Sequence, residues 1–239
     1  MASADVMKMR TFILLLLTLI TFTITNVDPT LGLAYAVFII SYWVGLFSDR
    51  LVSFPFQRPG QDFFKDFLLF GLIGFGAFYI SVVVIGGILQ LTAGGLTPAS
   101  VTSLFANIEP FLSGVAIVTF FVFTFLVTLA ETNFFFGVIF ELLLDVFNIN
   151  KSIREPKAHL IAVTIAAMFA AFHITALGLA IGGGLLGNLP LIAAVIFGYI
   201  SCLMVLYFRA TIQASGTHAI NNGIVVANKF GWLPNLFGG

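Results

Sequence analysis

The chain has 239 residues, of which 60% are hydrophobic and only 8% charged, and its ten basic and ten acidic side chains balance to zero. That balance suggests no nucleic-acid partner, and the single Cys202 excludes an intrachain disulfide and a cysteine-based metal site. Continuous apolar runs of about 20 residues exclude an ordinary soluble domain, and because they do not alternate they favour membrane helices over a barrel.

In chain order the apolar runs predict seven spans, at about 11–27, 31–47, 66–91, 112–147, 158–182, 189–207 and 209–228. Asp28-Pro29 separates the first from the second, because a residue before proline avoids the helical region. Pro55 and Pro59 mark an irregular loop, and Gly182, Gly183, Gly184 and Pro190 mark the turn before the sixth span. An eighth, short or re-entrant helix near 98–107 is the alternative count. No repeat of fixed period and no low-complexity linker is visible, so residues 1–239 read as one all-α, multi-pass membrane domain. Residues 1–27 could instead act as a signal peptide, but no A-x-A-like cleavage site follows, so retention is the expectation. The terminal Leu236-Phe237-Gly238-Gly239 is not a prenylation box.

The charges orient this bundle. With the N-terminus in the cytoplasm, nine of the ten basic residues fall inside: Lys8, Arg10, Arg50, Arg58, Lys65, Lys151, Arg154, Lys157 and Arg209. Only Lys229 falls outside, and the long 92–111 loop has no Lys or Arg, so the expected topology is N-in and C-out. Asn150-Lys151-Ser152 matches a glycosylation sequon, but on the inner side it is expected to stay unmodified. Glu141 and Asp145 read as a hydrated helix end, and His159 as a solvated surface residue. The Phe clusters at 120–125 and 134–136 read as lipid-facing or packing residues.

Four polar residues lie inside apolar runs: Glu131, His173, His218 and Asn222. A carboxylate at the centre of a membrane helix costs about 2.5–3.5 kcal/mol on insertion scales, so such groups face a cavity or a partner. At 1.5 Å per residue, Glu131 lies roughly 14 Å above the inner boundary, His173 roughly 20 Å, and His218 with Asn222 about 12–20 Å. These depths permit one shared cavity in the cytoplasmic half of the bilayer. His218 and Asn222, four apart, share one helix face. The last span, with Thr211, Gln213, Ser215, Thr217 and Asn221, is too polar to face lipid.

A carboxylate beside an imidazole can take a proton from water and pass it to a leaving group. A second imidazole with a carboxamide offers N–H donors to a developing oxyanion. Glu131, His173, His218 and Asn222 therefore supply both halves of an acyl-hydrolysis site without a serine nucleophile. Glu131, His173 and His218 are also the alternative ligand set for a zinc ion, although no H-E-x-x-H is present.

The stretch Ala130-Glu131-Thr132-Asn133-Phe134-Phe135-Phe136-Gly137-Val138-Ile139-Phe140 resembles the first motif of the CAAX prenyl protease and bacteriocin-processing (CPBP, or Abi) membrane protease family. Phe169-Ala170-Ala171-Phe172-His173 is similar to its second motif, F-x-x-x-H, and Gly216-Thr217-His218-Ala219-Ile220-Asn221-Asn222 resembles its third, H-x-x-x-N. The resemblance covers residues 112–228. It implies an intramembrane endopeptidase that hydrolyses a prenylated or membrane-embedded peptide. Glu131 and His173 would activate water, and His218 and Asn222 would form the oxyanion hole. The family is often described as a metalloprotease, yet the arrangement suits a metal-free, glutamate-dependent mechanism, so no cofactor is expected and zinc is the alternative. The first motif of the family reads E-E-x-x-x-R, whereas Thr132 and Phe136 stand at the second Glu and the Arg. The lost Arg removes a charge partner for a carboxylate. The competing reading is thus a catalytically degenerate relative acting as a scaffold, immunity factor or subunit of a larger membrane complex. A proton-coupled transporter is a weaker option, since no repeated halves are visible.

Overall fold

The computed structural model describes residues 57–58, 60–93, 124–125, 128–173 and 189–232. The expected spans 11–27 and 31–47, the alternative helix near 98–107, the glycines at 182–184 and both chain ends lie outside the described residues. Within them the chain is all-α, with five helices at the positions expected for the third to seventh spans. Helix α1 joins a π-helical turn, Lys65–Leu69, to Phe70–Ala93. Helix α2 runs through Thr128–Thr132, a π-helical stretch Asn133–Ile139 and Phe140–Val146. Helices α3, α4 and α5 are Pro156–His173, Leu189–Phe208 and Ile212–Lys229. Among the described residues, two stretches are long and apolar enough to cross a membrane, Lys65–Ile88 in α1 and Leu191–Phe208 in α4.

Helix α1 starts where Asp62 Oδ1 accepts the Lys65 backbone N–H at 3.1 Å, which satisfies one donor of the open first turn. Its residues Phe67, Gly71, Gly74, Phe78 and Val82 are buried and recur every three or four positions. The opposite face leaves Leu69, Leu72, Ile73, Ile80, Val83 and Val84 exposed. A continuous exposed apolar face of this length is what a helix in contact with lipid presents, and it is unusual on a soluble protein.

Small residues set the closest helix crossings. Gly71 of α1 meets Gly216 of α5 so closely that a Cβ on Gly71 would lie 2.8 Å from the Gly216 carbonyl carbon. Thr217 fastens the same crossing by donating to the Gly71 carbonyl at 3.1 Å. Helices α3 and α4 make the most extensive pairing, with Gly198 against Ala166. The core lies where α2 threads between these pairs: Phe135, Phe136, Phe140 and Leu144 are completely buried. The phenylalanines at 134–136, expected to face lipid or to pack, do pack; Phe136 meets Phe169 of α3 and Phe197 of α4 at centroid distances of 5.2 and 6.1 Å.

The turns explain where the helices stop. Beyond Val146, Asn148 takes a positive φ of 52°. The N–H groups of Asn148 and Ile149 then return to the carbonyls of Asp145 and Leu144, the paired bonds of a Schellman cap. Glu155 caps α3, its side chain accepting from the Lys157 N–H at 3.2 Å, and Pro156 follows at the first helical position. Arg209, with φ of 60°, turns the corner between α4 and α5, and its guanidinium donates to the Lys151 carbonyl. The α2–α3 turn and the α4–α5 corner therefore sit at one end of the bundle.

Two sequence expectations at that end need correction. Glu141 is not hydrated but buried, because Lys151 Nζ lies 2.7 Å from its carboxylate and 2.7 Å from that of Asp145. A buried carboxylate is tolerated when a cation answers it. His159 is half-buried, with Nδ1 at 2.8 Å from the Tyr199 hydroxyl and Nε2 at 2.6 Å from the Ile153 carbonyl.

Candidate functional site

Helix α5 carries the polar face expected of it. Thr211, Gln213, Ser215, Thr217 and His218 are all buried, and Asn221 and Asn222 are half-buried. Where α5 passes α2, pairs of polar residues meet in register. His218 and Asn222 are four apart on one helix, and Thr128 and Thr132 are four apart on the other, so each pair shares a face. The Thr132 hydroxyl lies 3.0 Å from His218 Nδ1. One turn along, the Asn222 amide donates to the Thr128 hydroxyl at 3.0 Å.

Glu131 completes this seam. Its Oε2 lies 3.7 Å from His218 Nε2, and both side chains are buried. The two ring nitrogens of His218 thus meet two consecutive residues of α2. Backbone geometry helps to present them. The π-helical stretch begins at Asn133, directly after Thr132, and π-type widening of a helix often accompanies functional sites. Asn133 anchors it: its amide donates to the Leu129 carbonyl at 2.7 Å, and its side-chain oxygen accepts from Thr211.

The other sides of His218 are aromatic. Phe197 lies 4.7 Å and Phe169 5.9 Å from the imidazole, centroid to centroid, and Phe136 packs against both phenylalanines. These rings exclude water and lower the local dielectric, which strengthens the polar contacts that do exist. No family model, curated protein or solved structure matches this chain.

Of the four residues singled out in the sequence, Glu131, His218 and Asn222 lie along the α2–α5 seam. His173 is the last residue of α3, and its side chain lies outside the described residues. The expected pairing was Glu131 with His173 and His218 with Asn222; in the described residues Glu131 faces His218. Among the described residues no group of three His, Cys, Asp or Glu is gathered for a metal. Glu131 and His218 approach to 3.7 Å.

Thr128 was not singled out in the sequence, although the signal was present. Thr124, Thr128 and Thr132 recur every fourth residue, a stripe of hydroxyls on one face of an otherwise apolar helix. A further polar group, Gln213, is completely buried, and among the described residues neither side-chain atom has a hydrogen-bond partner.

Proposed function

We propose that this chain is an intramembrane endopeptidase, similar to the CAAX prenyl proteases, acting on a prenylated or membrane-embedded peptide. The single observation that carries the reading is the meeting of Glu131 with His218 at 3.7 Å in a buried, aromatic-walled seam to which Asn222 is also tied. In the proposed reaction the Glu131 carboxylate, assisted by His173, takes a proton from water as its oxygen attacks the scissile carbonyl carbon. His218 and Asn222 donate hydrogen bonds to the tetrahedral oxyanion. The C–N bond then breaks, and Glu131 returns the proton to the leaving amine. Should zinc be the cofactor, Glu131, His173 and His218 would hold it, and it would supply a water of lowered pKa.

The proposed setting is a seven-span bundle, N-in and C-out, integral to the cell membrane. The exposed apolar face of α1 supports it, as does the meeting of Arg209 with the Lys151 carbonyl at one end of the bundle. Purified protein in lipid nanodiscs is expected to cleave a farnesylated CAAX peptide or another membrane peptide, and Glu131→Gln to abolish cleavage. Equal cleavage by wild type and variant would end the reading.

A second reading is favoured by one observation. Phe136, at the position of the family's Arg, is completely buried among Phe169 and Phe197, so an aromatic cluster stands where a cation would be expected. A catalytically degenerate scaffold or membrane-complex subunit would look the same. It predicts stable co-purification with partner subunits and no hydrolysis by the wild type.

A further inference from the structure

The hydroxyl of Thr132 has an unusual assignment. A hydroxyl inside a helix can return its proton to the carbonyl four residues earlier. Ser81 does so to Ala77 and Thr164 to Leu160. Thr132 is completely buried, and among the described residues its only hydrogen-bond partner is His218 Nδ1, at 3.0 Å. Either group can donate in this contact, but among the described residues no carbonyl receives the hydroxyl proton, which favours donation to Nδ1.

A neutral imidazole carries one N–H and one acceptor nitrogen. A ring that accepts at Nδ1 therefore carries its proton on Nε2. The second contact is compatible with the same form but does not fix it. Nε2 lies 3.7 Å from Glu131 Oε2, longer than a direct hydrogen bond, so that edge accommodates an N–H without dictating it.

We propose that Thr132 is a positioning residue that holds His218 as the Nε2–H tautomer, with that N–H aimed along the α2–α5 seam toward the reacting centre. Its catalytic value rests on the peptidase reading, in which His218 must donate to the oxyanion and a ring protonated at Nδ1 could not. Thr128 anchors Asn222 in the opposite sense, its hydroxyl accepting one N–H of the amide at 3.0 Å. Two hydroxyls on α2 thus hold two oxyanion donors on α5. The residue that departs from the family's second Glu becomes, on this view, a working replacement.

The test uses the full chain in nanodiscs with 15N-labelled histidine. The chain has three histidines, and the His218 signals are assigned by their loss in His218→Gln. The wild type and Thr132→Ser are expected to show an unprotonated Nδ1 and a protonated Nε2. Thr132→Val, which keeps the shape and removes the hydroxyl, is expected to lose that preference. It is also expected to lower kcat by about 10–100-fold with little change in KM, by analogy with the loss of an outer partner that orients a histidine. Thr132→Ser is expected to restore most of the rate. A wild-type His218 protonated on Nδ1 would overturn the proposal without recourse to any variant, as would a Val variant with the wild-type tautomer. If the wild type cleaves no peptide, the peptidase reading fails, while the spectrum still decides what Thr132 does.

Discussion

His218 is the central residue of the proposed site, because each of its ring nitrogens meets a different kind of group. Thr132 lies against Nδ1 and Glu131 against Nε2, with Phe197 and Phe169 on the remaining sides. A polar group buried in such surroundings is held firmly by the contacts it makes, since the alternative is to leave it unsatisfied. Asn222 belongs to the same set through Thr128. If it donates to an oxyanion, Asn222→Ala should lower kcat by about 10²–10³, the usual loss for one such donor, with KM nearly unchanged. A kcat equal to wild type, measured on the same farnesylated peptide, would remove Asn222 from the site. Glu131, His218 and Asn222 were legible in the sequence because polar side chains are scarce in apolar runs. Thr128 was not, because a threonine in a membrane helix ordinarily bonds its own backbone and carries little signal by itself.

Among the helices, α5 decides whether the site assembles. Its α2-facing side carries His218 and Asn222, while Gly216 and Thr217 meet α1. A side chain on Gly216 would overlap the Phe67 carbonyl, and backbone cannot rotate away as a side-chain tip can. Gly216→Ala is therefore expected to destabilise the protein by about 3 kcal/mol or more, at the upper end of overpacking costs. Gly76, also in the apolar α1, has open space where its Cβ would be. Gly76→Ala should leave thermal stability unchanged or raise it slightly, by up to about 1 kcal/mol of helix propensity. Equal melting temperatures for the two variants in one detergent would contradict the close crossing. A glycine at 216 is visible in the sequence, but the helix it meets is not. Helix periodicity says which residues share a face and not which helix that face meets.

At the scale of the whole molecule, the charged end of the bundle is the feature that ties topology to packing. Lys151 joins Glu141 and Asp145 across the α2–α3 turn, and Arg209 closes on the Lys151 carbonyl from the α4–α5 corner. If this end faces the cytoplasm, a cysteine at the exposed Arg154 should resist a membrane-impermeant maleimide in intact cells and react once the membrane is opened. The natural Cys202 is completely buried and should not contribute. Labelling of Arg154→Cys in intact cells would reverse the orientation.

Composition and hydropathy by themselves determined the helical class, the positions of the five described helices and the polarity of α5. Each of these follows from local properties: the length of an apolar run, the placement of prolines and the density of polar side chains. Tertiary structure alone decided that Glu131 faces His218, that Thr132 occupies the other ring nitrogen and that Glu141 is buried rather than hydrated. These are contacts between segments far apart in the chain; Thr132 and His218 are separated by 86 positions. Depth along a helix axis can be counted from a sequence, but the rotation of each helix about that axis is set by side-chain packing between neighbours. That rotation brings two threonines of α2 opposite a histidine and an asparagine of α5.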